Sequence, residues 1–193
     1  MKKFKLGKVS CLVFLLIASI GSVASAASSH LYHYDTYLIY DEWEYSSDGD
    51  IDIKYYYRQD GNYDFRTEVA IAAIAWEDMV DSPFDFVKTS NKSSADMFIY
   101  SDDFGDSGWT GYAYYNESPK RIKFNEYWKA NSPVDGHTYT YDCYINTLVH
   151  EMGHTHGLDH YECPTDREVM IPYHKDGLDE PYVGDRQGIY DIY

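Results

Sequence analysis

The chain has 193 residues and a mass of 22.4 kDa, enough for one compact domain and too little for two of full size. Acids outnumber bases 32 to 16, for a net charge of −16, which disfavours nucleic-acid binding because that needs a basic surface over the phosphates. Hydrophobic residues at 44% and aromatics at 18%, including 22 tyrosines, supply a core and exclude wholesale disorder.

Residues 1–26 read as a secretory signal peptide. Lys2, Lys3, Lys5 and Lys8 form a positive leader, Val9 to Ile20 is a short apolar run, and Ala24-Ser25-Ala26 is a cleavage signal. A secreted, extracellular protein is expected, with no membrane attachment after cleavage. Removal of the leader takes away lysines and no carboxylate, so the remainder is more acidic still. Residues 27–50 are rich in Tyr, Ser and Asp without a clean period and read as an N-terminal arm of uncertain role. Residues 51–193 read as the functional domain.

Ile51 to Tyr57 opens with apolar/polar alternation and predicts a strand, followed by a turn at Asp60-Gly61-Asn62. Phe65 to Val80 has helical spacing, with Val69, Ala72, Ala73, Trp76 and Val80 on one face. Asp64 is placed to cap the start and Ser82-Pro83 to stop the helix. Strands are expected at Phe84–Val87, Ala95–Tyr100, Gly111–Tyr115 and Arg121–Phe124. The loop from Ser101 to Thr110 carries Asp102, Asp103 and Asp106, which can bind Ca²⁺ or simply be solvated. A second helix is expected from Tyr144 to Gly157, with Ile145, Leu148 and Met152 on its packing face and Gly157 ending it in a left-handed turn. A third is expected from Gly184 to Tyr193. The order predicts an α+β domain. In an exported chain Cys143 and Cys163 read as a disulfide, two unpaired thiols being the alternative.

The chemistry concentrates in His150-Glu151-Met152-Gly153-His154-Thr155-His156-Gly157-Leu158-Asp159-His160. Two His four apart leave the same helix face one turn apart and can hold one Zn²⁺. Glu151, between them in sequence, points aside and can serve a water without ligating the metal. Gly157 lets the chain turn so that His160 returns as a third ligand, leaving a fourth position open as in catalytic sites. His156 lies on another face and reads as a solvated polar residue.

The extended motif, followed by the methionine turn Glu168-Val169-Met170-Ile171-Pro172-Tyr173, resembles the metzincin zinc endopeptidases and is most similar to a matrixin catalytic domain. That resemblance implies a zincin-like α+β fold, with a twisted mixed sheet of about five strands, three helices and an active-site cleft. It implies one catalytic Zn²⁺ on His150, His154 and His160, with Glu151 as the catalytic carboxylate. It further implies Met170 as a hydrophobic base under the metal and Asp185 supporting the methionine turn. Substrate would lie along the edge strand at Gly111, Tyr112 and Ala113, with Pro172 and Tyr173 at a pocket wall. The pattern differs at Tyr161, where matrixins usually have Ser, and in the edge strand, which lacks the His of a second zinc site. A monomer acting on protein or peptide substrates is expected. Two other readings stand beside it: a silent metzincin-like binding module using its tyrosine-rich surface, and a zinc amidase acting on cell wall.

Overall fold

The computed structural model describes residues 43–131, 140–160, 167–172 and 177–193. The expected signal peptide, most of the N-terminal arm, Tyr161, Cys163 and Tyr173 lie outside the described residues. The architecture is the expected α+β one: five strands in a mixed sheet, three helices and a cleft. The strands are β1 (Ile51–Gln59), β2 (Phe84–Lys88), β3 (Met97–Asp102), β4 (Gly111–Tyr114) and β5 (Lys120–Asn125). The helices are α1 (Arg66–Glu77), α2 (Tyr141–Thr155) and α3 (Val183–Ile192). Strand order is β2-β1-β3-β5-β4. All neighbours are parallel except β4, which runs antiparallel to β5.

The alternation in β1 puts Ile51, Ile53 and Tyr55 into the core and Asp52 and Lys54 into solvent. In α1, Val69, Ala72, Ala73 and Trp76 face inward as the spacing predicts. Val80 does not: the helix ends at Glu77, and Val80 sits in the following turn, 60% exposed. The Ser82 hydroxyl donates to the Trp76 carbonyl at 2.6 Å, and Asp81 takes a φ of 54°, so the chain has left the helix before Pro83. The N-cap position belongs to Phe65 rather than Asp64. Asp64 serves from one residue further out, its Oδ1 accepting the Arg66 N–H at 3.0 Å.

Helix α2 packs against α1 and the sheet. The Trp76 indole N–H donates to the Val149 carbonyl at 3.0 Å, joining the two helices through a fully buried side chain. Phe65, Phe124 and Tyr144 meet with ring centroids 4.7–5.0 Å apart, locking α1, β5 and α2 together. α2 begins three residues earlier than its spacing predicts and is buried well beyond the stripe of Ile145, Leu148 and Met152. A helix covered on two sides has no solvent face for sequence periodicity to reveal.

Truncating Trp76 to Ala should cost about 3–5 kcal/mol, because it empties a large buried volume and strands the Val149 carbonyl contact. Val80→Ser should change stability by no more than about 0.5 kcal/mol. Urea midpoints of the two variants test the pair; equal losses would contradict the helix boundary at Glu77.

Candidate metal centre

His150 and His154 leave α2 one turn apart, and the way this helix ends supplies the third imidazole. Gly157 has a φ of +97°, the Gly157 N–H donates to the His154 carbonyl at 3.1 Å, and the Leu158 N–H donates to the Gly153 carbonyl at 3.0 Å. These paired bonds reverse the chain off the helix end. His160 follows two residues later, its N–H donating to Asp159 Oδ1 at 2.7 Å.

The three side chains converge. His160 Nε2 lies 3.2 Å from both His150 Nε2 and His154 Nε2. His150 Nδ1 contacts the Val169 carbonyl and His154 Nδ1 the Leu158 carbonyl, each at 2.8 Å. A carbonyl oxygen only accepts, so each Nδ1 carries the proton and each Nε2 turns a lone pair inward. Burial pulls the His150 pKa down to about 4, against a smaller upward pull from the Val169 carbonyl, so its ring is uncharged at neutral pH. Two inward lone pairs, with His160 Nε2 beside them, make a place for a cation. Tetrahedral zinc with Zn–N bonds of about 2.0–2.1 Å sets its ligand nitrogens about 3.3 Å apart, close to the spacing here. The His150, His154 and His160 group can therefore hold a metal ion.

Glu151 sits beside this group, 7% exposed, and its carboxylate accepts the Ala113 backbone N–H. Burial pushes its pKa up from 4.5 to about 8, the Ala113 N–H pulling the other way. Strand β4 passes so close that a Cβ on Gly111 would lie 2.5 Å from Glu151 Cγ and 2.7 Å from Thr147 Cγ2. Only glycine lets the strand approach the helix here.

Met170 is fully buried and packed on Gly153, where a Cβ would collide with its sulfur. The Met170 turn is held by the buried Asp185 carboxylate, which accepts the N–H groups of Val169 at 2.8 Å, Met170 at 3.2 Å and Tyr182 at 2.9 Å. Glu168 Oε2 in turn accepts the Gly184 and Asp185 N–H groups, at 3.0 and 3.1 Å, at the start of α3. Sequence reading missed Glu168, which carries no signal beyond being an acid upstream of Met170.

A cleft of about 560 Å³ opens over the group. It brings together His150, His154, His160, Glu151, Gly111, Tyr112, Ala113 and Pro172. Trp109, Trp128, Asn146 and Thr147 also line it, and nothing in their local spacing marked them. Cys143 is buried near the start of α2; its expected partner, Cys163, is among the residues not described.

One expectation is corrected. His156 is fully buried rather than solvated: its ring stacks on Phe84 at 4.1 Å, and its Nδ1 accepts the Trp43 indole N–H at 3.0 Å. Burial, then Lys120, holds its pKa well below the ordinary imidazole value. Asp102, Asp103 and Asp106 do not come together as a group of three; among the described residues the His group is the one set of three or more such donors brought together. Asp102 and Asp103 instead accept the N–H groups of Asp103 and Gly105. Asn125 braces the same loop, donating to Gly105, Ser107 and Trp109 and accepting from Phe104.

No family model matches the sequence. No curated protein matches it either. Among solved structures, the chain is similar to one titled "Structure of myroilysin", with 19% identity over 62% of this chain and a TM-score of 0.39. The match spans 52%, about half, of that structure's chain.

The full chain should bind one divalent cation, and His154→Ala should weaken binding by more than about tenfold, read by competition with a chromophoric chelator. Without metal, folded Glu151 keeps a proton that the unfolded chain releases above 4.5, so this group's contribution to stability is lost as pH rises towards about 8. Glu151→Gln removes that loss. Its melting temperature in chelator should therefore gain on wild type between about pH 5 and 8; a constant gap would contradict the burial of a protonated carboxyl.

Proposed function

We propose that this chain is a secreted zinc-dependent endopeptidase that hydrolyses peptide bonds in extended protein substrates. One observation carries the reading: three imidazole nitrogens converge beside a buried carboxyl, under the edge strand of an open cleft. Three imidazoles suit zinc, and their number leaves a position open. Zinc held by His150, His154 and His160 would supply a Lewis acid that acidifies a water and polarises a carbonyl.

The chain's own groups do the rest. Glu151 takes a proton from the attacking water and returns it to the leaving amine. The Ala113 N–H fixes the carboxylate against β4. In the sheet, β4 is paired on one side, with β5, and its other edge borders the cleft. Thr110 turns its carbonyl to β5, accepting the Asn125 N–H at 2.8 Å, so the alternate residues Gly111 and Ala113 turn their backbone groups to the cleft. An extended peptide can add there as a further strand. Pro172 lines the cleft and would wall the pocket for the side chain after the cut, the role that the matrixin resemblance also gives Tyr173. The leader at residues 1–26 supports export, and the matrixin-like motif supports action on protein as a monomer.

Glu151→Gln should retain the metal and lose about 10²–10⁴-fold in turnover of an unstructured protein or peptide library. Peptidoglycan is assayed alongside: release of peptide from cell wall with no protein cleavage would assign an amidase instead. Equal activity of wild type and Glu151→Gln would remove the enzymatic role of this carboxyl.

A further inference from the structure

The last carbonyls of α2, at Thr155 and His156, lie beyond the reach of helical hydrogen bonding and need other donors. Lys120 Nζ donates to the Thr155 carbonyl at 2.8 Å, placing a cation at the negative end of the helix. The Tyr193 hydroxyl donates to the His156 carbonyl at 3.3 Å. Both capping groups meet Trp43. The Lys120 ammonium lies 4.4 Å from the Trp43 ring centroid, and the Trp43 backbone N–H donates to the Tyr193 hydroxyl at 3.4 Å. The Trp43 indole N–H reaches His156 Nδ1 at 3.0 Å, and the Tyr45 hydroxyl donates to the Tyr193 carbonyl at 3.0 Å.

We propose that Trp43 is a positioning residue for the metal centre: it clamps the C-terminal turn of α2 and thereby holds His160 against His150 and His154. The inference rests on the metal-site reading above. The clamped turn is the one through which the third ligand arrives. His156, gripped by Trp43 and stacked on Phe84, precedes Gly157, whose left-handed φ redirects the chain. Leu158 then gives its carbonyl to His154 Nδ1, so one short segment orients the second ligand and delivers the third. A displacement of that turn moves two of three ligands, whereas His150 is oriented separately, from Val169. Trp43 itself touches none of the three; it acts through Lys120, Tyr193 and His156.

The full chain is compared as wild type, Trp43→Ala and Trp43→Phe, the last keeping an aromatic ring for Lys120 and losing the N–H. Zinc affinity is measured by chelator competition, and amide hydrogen exchange is followed in the metal-free proteins. Trp43→Ala should lose about tenfold or more in zinc affinity, with faster exchange at the Gly157 and Leu158 amides and unchanged exchange in the α2 core at Leu148–Glu151. Trp43→Phe should recover only part of the affinity, because the ring returns to Lys120 but the bond to His156 does not. A Trp43→Ala chain that binds zinc as tightly as wild type overturns the positioning role, as does faster exchange spread evenly over α2. Wild-type protein that takes up no zinc overturns the metal-site reading itself, and with it this one.

Discussion

Helix α2 has to stop at one particular place for the cleft to exist. Its last turn closes on Gly157, whose φ of +97° lets the Leu158 N–H reach back to the Gly153 carbonyl. A residue with a side chain resists that conformation, and without the reversal the helix would carry His160 away from its partners. The same reversal places the Leu158 carbonyl where it fixes the His154 tautomer. Ligand supply and ligand orientation thus share one backbone event, and the groups that cap the helix end, Lys120 and Tyr193, belong to the same mechanical unit.

Around that unit the chain solves a recurring problem in the same way. Irregular segments present backbone N–H groups that have no sheet or helix partner, and buried acids or amides accept them. Asp185 and Glu168 hold the Met170 turn to α3. Glu126 holds the Asn62 and Tyr63 N–H groups at 2.7 and 2.9 Å, and Asn125 braces the loop before β4. Charge-assisted bonds of this kind are stronger than neutral ones, so loops can be rigid without regular structure. Part of the acid excess therefore has a structural use inside the fold, distinct from the acids on the surface.

The tyrosines divide by environment. Tyr55 and Tyr144 are core residues, whereas Tyr112, half exposed, borders the cleft from β4. Tyr114 shares that face of β4, its ring centroid 4.9 Å from that of Tyr112, with Arg121 and Lys123 4.8 and 5.0 Å from it. Composition alone assigned none of these places, because a phenol suits a core, an interface and a cation equally well.

Much of the fold and the centre of the site were legible in the sequence. β1 alternates, α1 carries its apolar stripe, and the spacing of His150, His154, Gly157 and His160 encodes a helix, a stop and a return. Each of these is a relation between residues a few positions apart, set by helical or strand geometry. Tertiary structure alone decided what depends on neighbours far along the chain. It separated His154, turned to the cleft, from His156, enclosed by Phe84 and by Trp43 from 113 residues away. It raised the Glu151 pKa by covering the carboxyl with β4, and it buried Lys120 against a helix end that no local pattern connects to it. Sequence spacing fixes which way side chains leave the backbone; only packing fixes what covers them, and burial decides whether an imidazole, a carboxyl or an ammonium becomes a ligand, an acid or a strut.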